Sequence, residues 1–134
     1  MLSLPVGGAL CGVGIDVVEV ERLRRLLERL PRAYDRLFSA GERSYADGFA
    51  DPYPRYAARF AAKEAVGKAL GIGIIGFVWR DIEVLSGGKP RILLHGEVAE
   101  VARKLGVSRV DVSLSHTGGM AYALAAAVKE GVDG

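Results

Sequence analysis

The stretch "RFAAKEAVGKALG", residues 59–71, decides which fold the rest of the chain can adopt. It is rich in alanine, which predicts a helix suited to close packing against another element. A period of 3.6 residues places five residues on one side of this helix: Phe60, Ala61, Glu64, Gly67 and Lys68. Small side chains therefore flank the Glu64 carboxylate, and we expect the helix to press against a sheet there.

Two interpretations of Glu64 follow from this helix alone. Glu64 and Lys68 are four residues apart, and such a pair stabilises a helix by about 0.2–0.5 kcal/mol without forming a site. Lys63 and Arg59, which point away from Glu64, would then be ordinary solvated charges. The other interpretation makes Glu64 half of a site, with a second acidic residue elsewhere in the chain.

Asp16 is the candidate for that second residue. In "GIDVVEVER" (14–22) it interrupts an otherwise apolar strand, two residues after Gly14. A carboxylate there is costly to bury unless it is paired or bound to a metal. Gly14 would let another backbone or a ligand approach closely. The alternative is that Asp16 ends the strand and caps a neighbouring amide.

Hydrophobic patterning predicts an α+β domain over residues 1–134, in the order strand, three helices, two strands, helix and two-strand hairpin. The predicted strands are 11–20, 76–85, 90–96, 108–116 and 120–128. The predicted helices are 19–30, one that opens in "FSAGE" (38–42), 51–71 and 97–106. Glycine-rich turns, "SGGK" (86–89) and "TGG" (117–119), join the strand pairs.

Local signals set the ends of these helices. Ser39 and Glu42 have the spacing of a capping box. Asp51 is the predicted N-cap of the long helix, with Pro52 at its first position and Gly71 as its stop. Pro31 either ends the helix 19–30 or begins another helical segment.

Composition excludes several classes of protein. Cys11 is the single cysteine, so no intrachain disulfide is possible and a reducing, cytoplasmic setting is expected. The longest apolar runs fall far short of the roughly 20 residues that a membrane span needs. The start has no basic region and does not resemble a signal peptide. The net charge of +2 is too small to favour nucleic acid as a partner.

A basic helix face follows the first strand. Arg22, Arg25 and Arg29 share one face of the helix 19–30. A basic face attracts acidic partners and speeds encounter with them. The common alternative for such a charge run is a solvated amphipathic surface.

The segment "SLSHTGG" (113–119) places His116 at the end of an apolar strand, before a flexible turn. Amides and hydroxyls of such a turn can bind phosphate oxygens. A lone histidine at a strand end is more often an ordinary surface group. His95 has no comparable context and is interpreted as structural, and "GGKP" (87–90) is typical of a hairpin turn.

Taken in this order, these segments resemble the holo-[acyl-carrier-protein] synthase type of 4′-phosphopantetheinyl transferase. The resemblance covers nearly the whole chain. It rests on "GIDVVEVERL", "LFSAGE", "RFAAKEAVGKALG", "GGKP" and "SLSHTGGMAYALA". It implies transfer of the phosphopantetheine arm of coenzyme A to a serine of an acidic acyl carrier protein, with release of adenosine 3′,5′-bisphosphate. It also implies a homotrimer with active sites between subunits.

The resemblance also implies roles for individual residues. Asp16 and Glu64 correspond to the family's metal-binding acidic positions, so Mg²⁺ is the expected cofactor. Lys68 would stabilise charge on the transferred or leaving phosphate. The remaining implied contacts are Arg59 and Lys63 to phosphate, Gly88, Lys89, Pro90, Ser115 and His116 to coenzyme A, and Arg22, Arg25 and Arg29 to the carrier protein.

One segment departs from the family pattern. The family commonly has a Gly-Thr-Gly-like turn after the long helix, whereas this chain has Gly71-Ile72-Gly73 and lacks that hydroxyl. The loss of that hydroxyl removes a polar contact of the loop. The tip 71–77 is also unusually apolar for a loop, and since the resemblance implies a homotrimer, we expect this tip to be buried at a subunit contact.

Two other classes of function are weighed against the transferase. A non-catalytic scaffold for coenzyme A or a nucleotide would be expected to lack Asp16, Glu64 or Lys68, and all three are present. A basic interaction module would bind the carrier protein equally well without magnesium and coenzyme A.

Overall fold

The computed structural model describes residues 8–73 and 76–130 of the chain. Within these residues the strands are β1 (Ala9–Glu19), β2 (Ile82–Leu85), β3 (Arg91–Leu94), β4 (Arg109–Thr117) and β5 (Met120–Lys129). The α-helices are α1 (Val20–Arg29), α2 (Arg32–Leu37), α3 (Ala40–Asp47), α4 (Tyr53–Ala69) and α5 (Gly96–Leu105). A 3₁₀ turn, Trp79–Asp81, precedes β2.

The strands form two antiparallel sheets. One has the order β1-β5-β4, and the other is the hairpin of β2 and β3. Helices separate β1 from the other strands along the chain, so β1 reaches its partner β5 only through a long connection. This arrangement confirms the predicted α+β class and the closing hairpin of β4 and β5.

In the described part of the chain between β1 and β2 there are four α-helices, rather than the predicted three. Pro31 begins α2 as its N-cap, and Leu30 before it has left the helical region (φ −126°, ψ 78°). A proline disfavours helical geometry in the residue that precedes it, so α1 must end there. The second of the two interpretations of Pro31 is therefore correct.

The predicted strand 76–85 is wrong over its first half. Residues Trp79–Asp81 form the 3₁₀ turn, and the Trp79 ring stacks on Phe60 of α4 at a centroid distance of 4.9 Å. Phe77 packs on the other side of Trp79, also at 4.9 Å. Aromatic packing against α4 thus bends this segment out of strand geometry.

The residues predicted to begin and end the helices agree with the structure, with one exception. The Ser39–Glu42 capping box is present, and Gly71 follows α4 with a positive φ of 77°. Asp51 is not the N-cap of α4, because Pro52 holds that position. The Asp51 carboxylate instead accepts a hydrogen bond from the Tyr53 amide at 3.2 Å.

Helix α4 lies at the centre of the structure. One side packs on β1 and β5, where a core of small residues includes Ala61, Ala65 and Ala125. The other side packs on α1 and α3, where a second core includes Leu27 and Tyr56. Among the described residues, no helix is both long and apolar enough to cross a membrane.

The contact between β1 and α4 is made by backbone atoms. A Cβ atom built on Gly14 would lie 1.9 Å from the Ala65 carbonyl oxygen, and one built on Gly12 would lie 2.2 Å from the Ala69 carbonyl oxygen. No side chain tolerates such distances, so only glycine fits at either position. The close approach predicted at Gly14 is confirmed, with a backbone as the approaching group.

The predicted role of Gly67 in this contact is wrong. A Cβ atom on Gly67 would meet the Phe77 ring at 2.9 Å, so Gly67 makes room for the segment after α4. The closest approach of strand and helix is at Gly12 and Gly14 of β1, and alanines of α4, among them Ala61, pack against the sheet as predicted.

Substitution of Gly14 tests this contact. Gly14→Ala is expected to lower the free energy of unfolding by about 1–3 kcal/mol, because the added methyl must push β1 and α4 apart. Denaturant unfolding monitored by circular dichroism measures the difference.

Gly41→Ala is the matched control. Gly41 lies in α3, and an added Cβ would meet nothing closer than 3.6 Å. Alanine is favoured over glycine in a helix by about 0.5–1 kcal/mol, so this variant should be neutral or more stable. Equal stabilities of the two variants would contradict the proposed backbone contact.

Candidate active site

The close contact of β1 with α4 brings Asp16 next to Glu64. Residues alternate between the two sides of a strand, so Asp16 shares the α4 side with Gly12 and Gly14. Gly14 touches Ala65, the residue that follows Glu64. The Asp16 side chain is only 17% exposed, and its charge reaches the Glu64 carboxyl group.

Lys68 completes the group. Its ammonium nitrogen donates to the Asp16 Oδ1 atom at 3.1 Å and to the backbone carbonyl oxygen of Ile15 at 2.9 Å. The ion pair that Lys68 makes within the described residues is therefore with Asp16, and the simple helix pair with Glu64 is wrong. Asp16 likewise binds an ammonium group instead of capping an amide.

The surroundings of Glu64 disfavour its charged form. Partial burial raises the pKa of the Glu64 carboxyl above its usual 4.5, and the neighbouring Asp16 carboxylate raises it further. Lys68 opposes this shift. Two adjacent carboxylates in a half-buried position would be stabilised by a bound cation.

The donor set fits magnesium. In residues 8–73 and 76–130 no group of three or more His, Cys, Asp or Glu side chains could hold a metal ion. Asp16 and Glu64 offer carboxylate oxygens from two residues. Magnesium typically takes one or two carboxylates and completes its coordination with water and substrate phosphates. A pair of carboxylates open to substrate therefore suits this ion.

Lys63 does not contribute to this site. Its side chain has no exposed surface, and its ammonium nitrogen lies 2.9 Å from the Glu42 Oε1 atom. One residue along a helix is a rotation of about 100°, so Lys63 points to α3 and β2 while Glu64 points to β1. The predicted phosphate contact of Lys63 is corrected to a structural position in the core.

Arg59 lies against the β2–β3 turn. Its guanidinium donates to the Ser86 hydroxyl at 2.7 Å and stacks on the Tyr45 ring at 4.3 Å. Burial lowers the pKa of Arg59, and its Nε atom has no hydrogen-bond partner among the described residues. Arg59 thus joins the turn that carries Gly88, Lys89 and Pro90, apart from the Asp16 side of α4. A phosphate contact by Arg59 stays a prediction.

Ser115 and His116 lie on opposite faces of the β1-β5-β4 sheet. His116 pairs with Ala121, which is buried on the α4 side, whereas Ser115 pairs with the partly exposed Tyr122 on the outer face. A single chain therefore does not bring both residues to one surface.

The arginines of α1 remain available to a partner. Arg22, Arg25 and Arg29 are all exposed, and Arg25 lies 3.8 Å from Glu19. Arg24, by contrast, is held by Glu21 and Glu28 on the same helix. This basic face begins directly after the strand that carries Asp16.

Comparison with known proteins identifies the family. A family model described as the 4′-phosphopantetheinyl transferase superfamily matches residues 12–127. The chain belongs to this superfamily. It is 48% identical over 119 residues to the holo-[acyl-carrier-protein] synthase of Moorella thermoacetica, which covers 87% of this chain and 91% of that protein.

Solved structures of such transferases share the fold. Holo-ACP-synthase from Plasmodium yoelii aligns with a TM-score of 0.81 at 26% identity, over 92% of this chain and 98% of that one. Helicobacter pylori holo-[acyl-carrier-protein] synthase in complex with coenzyme A aligns with a TM-score of 0.75 at 28% identity, over 86% of this chain and 98% of that one. The predicted transferase fold is therefore confirmed.

The raised pKa of Glu64 predicts a pH-dependent effect on stability. Below pH 4.5 Glu64 is protonated in the folded and unfolded states alike, and above its folded pKa it is charged in both. The charged form is disfavoured only in the folded state. The free energy of unfolding therefore falls as the pH rises from 4.5 to the folded-state pKa of Glu64. Glu64→Gln should therefore raise the free energy of unfolding of the metal-free protein at neutral pH, and this gain should disappear below pH 4.5.

Urea unfolding in the presence of a chelator, repeated over a pH series, measures this difference. Glu100→Gln is the control, because a hydrogen bond from Arg103 lowers the pKa of Glu100 and the sign of the effect reverses. A pH-independent difference between Glu64→Gln and the unsubstituted protein would contradict the assigned environment of Glu64.

Proposed function

We propose that this chain transfers the 4′-phosphopantetheine arm of coenzyme A to a serine of an apo acyl carrier protein, with magnesium assistance. Adenosine 3′,5′-bisphosphate is the second product. The single observation that carries the proposal is the convergence of Asp16 and Glu64, with Lys68 beside them, in a member of the transferase superfamily.

Coenzyme A and a carrier protein are the substrates that the relatives suggest. The Moorella thermoacetica relative is named for its action on the acyl carrier protein, and the Helicobacter pylori structure contains coenzyme A. Both alignments extend over most of this chain, which supports carrying these substrates over to it as a proposal.

The reaction breaks the pyrophosphate of coenzyme A. The serine oxygen attacks the β-phosphorus and forms a new P–O bond, while the bridging oxygen leaves with the bisphosphate and its electron pair. The serine proton passes to a carboxylate of the site or to a water molecule. Magnesium, when bound, would supply positive charge to the phosphate oxygens. Asp16 and Glu64 would hold this ion against the substrate.

Lys68 contributes charge from the protein itself. Its side chain is 48% exposed, and the Ile15 carbonyl and the Asp16 carboxylate direct its ammonium to the Asp16 side of α4. An ammonium in this position can contact phosphate oxygens of a bound substrate and stabilise the charge that develops during transfer.

The basic face of α1 is the proposed docking surface for the carrier protein. The exposed Arg22, Arg25 and Arg29 would attract the acidic carrier and orient its serine. Since α1 follows β1 directly, a carrier bound there lies next to Asp16.

A homotrimer is part of the proposal. The face of the β1-β5-β4 sheet that points away from α4 exposes a set of large apolar side chains, namely Val13, Ile15, Val17, Tyr122 and Leu124. Such a contiguous patch is typical of an interface between chains. A subunit contact would also bring Ser115, on this outer face, towards a neighbouring active site. Residues 74–75 of the apolar tip lie outside the described residues, so the predicted burial of that tip stays a prediction, as does the cytoplasmic location.

An assay for transfer tests the proposal. The protein, coenzyme A, an apo carrier protein and magnesium should give the phosphopantetheine adduct on the carrier, detected by intact-protein mass spectrometry. Asp16→Asn and Glu64→Gln should each lower kcat by about 10²–10³-fold, because each removes one of the two carboxylates proposed to hold magnesium at the pyrophosphate. Chelation of the metal should abolish the adduct.

Glu100→Gln, a substitution on the exposed face of α5, is the control and should leave kcat unchanged. No adduct on any carrier tried, together with coenzyme A binding, would favour the non-catalytic scaffold. Carrier binding that is equal with and without magnesium and coenzyme A would favour the basic interaction module.

The trimer has its own test. Sedimentation at micromolar concentration should give the mass of three chains, and Ile15→Glu should give monomers because it places a charge in the apolar face. Leu93→Glu, at a comparably exposed apolar residue of β3, is the control and should remain trimeric. A monomeric value for the unsubstituted protein would contradict the trimer.

A further inference from the structure

A fully buried ion pair joins α4 to the rest of the fold at the residue before Glu64. The Lys63 ammonium lies 2.9 Å from the Glu42 carboxylate of α3, and neither side chain has exposed surface. Neither residue touches the Asp16 site directly. The pair therefore plays no part in the reaction as described so far.

All three donors of the ammonium are used. Besides Glu42, Lys63 donates to the backbone carbonyl oxygens of Trp79 and Ile82. Glu42 in turn accepts from the Ser39 amide at 2.8 Å and from the Val84 amide at 2.8 Å. The pair thus connects α3, α4, the 3₁₀ turn and β2 through directed bonds.

Stability alone does not account for such a pair. Burial of two charges is costly, and apolar side chains of similar size often stabilise a core as well or better. Burial accordingly lowers the pKa of Lys63, although the charge of Glu42 opposes the shift. Unlike an apolar contact, the pair also fixes the orientation of α4, because its directed bonds set both the rotation of the helix about its axis and its position along that axis.

The orientation of α4 determines where the next residue, Glu64, points. On its β1 side, α4 is held by the contacts of Gly12 and Gly14 with the backbone of Ala65 and Ala69. On its other side it is held by Lys63. Glu64 lies between these two attachments, so its direction depends on both.

We infer that the buried Glu42–Lys63 ion pair is a positioning device that sets the rotation of α4 and thereby directs the Glu64 carboxylate to Asp16. The inference rests on the proposed function for its catalytic consequence. Its structural consequence, a change at the β1–α4 contact when the pair is removed, is independent of that function.

The double variant Glu42→Gln/Lys63→Met tests this role. It removes both charges together, whereas Lys63→Met alone would leave a buried carboxylate unpaired and is expected to fold poorly. Misplacement of a reacting group by about 1 Å can cost about 100-fold in rate. We therefore expect kcat to fall by about 10–100-fold, with KM for coenzyme A unchanged and with weaker binding of Mn²⁺ in calorimetry.

Ser39→Ala is the matched control. Ser39 belongs to the same capping box as Glu42, and its loss should destabilise α3 while the ion pair remains. This variant is expected to unfold at lower denaturant concentration but to keep the kcat of the unsubstituted protein. The comparison separates loss of stability from loss of position.

Two-dimensional ¹H–¹⁵N spectra give a readout without activity. In the double variant, amide shifts should extend to Gly12, Gly14 and Asp16 on β1. Shifts confined to α3 and β2, or a kcat equal to that of the unsubstituted protein, would overturn the inference. If the unsubstituted protein transfers nothing, the proposed function fails, and the spectra alone decide whether the pair positions α4.

Discussion

The structure depends on the contact of one strand backbone with one helix backbone. Gly12 and Gly14 present no side chain to α4, so β1 lies directly on the carbonyl groups of Ala65 and Ala69. Because side chains alternate along a strand, the same geometry directs Asp16 towards α4 one step further on. The proposed catalytic pair is thus a consequence of packing, since any larger residue at Gly14 would separate the two elements that carry the carboxylates.

The two sides of α4 carry charges that differ in their surroundings. Towards β1, Asp16, Glu64 and Lys68 are partly exposed. Burial, and then the Asp16 carboxylate, raise the pKa of Glu64, and a bound cation would oppose both effects. Towards α3, Lys63 and Glu42 are fully buried and satisfied by directed bonds. Two lysines five residues apart on one helix therefore serve different purposes, one open to substrate and one closed inside the fold.

Much of the fold and part of the site could be predicted from the sequence. The capping box at Ser39 and the stop at Gly71 depend on near neighbours in the chain, and both predictions are confirmed. The close backbone approach at Gly14 is also confirmed, because a glycine within an apolar strand is itself the signal for it. The buried partner of Lys63 was missed, because only the packing of α3 against α4 brings Glu42 there. The Trp79 segment bends for the same kind of reason, through stacking on Phe60. Ser115 and His116 lie on opposite faces of the sheet because they are neighbours on one strand, β4, whose side chains alternate between the two faces.

Asp16 and Glu64 are proposed to share one metal ion, and a crystal structure can locate that ion. A crystal of the protein with Mn²⁺ and coenzyme A would locate the metal by its anomalous scattering. We expect a single strong peak within about 2.0–2.6 Å of carboxylate oxygens from both Asp16 and Glu64, next to the pyrophosphate. A peak that leaves either carboxylate uncoordinated, with coenzyme A bound, would contradict it.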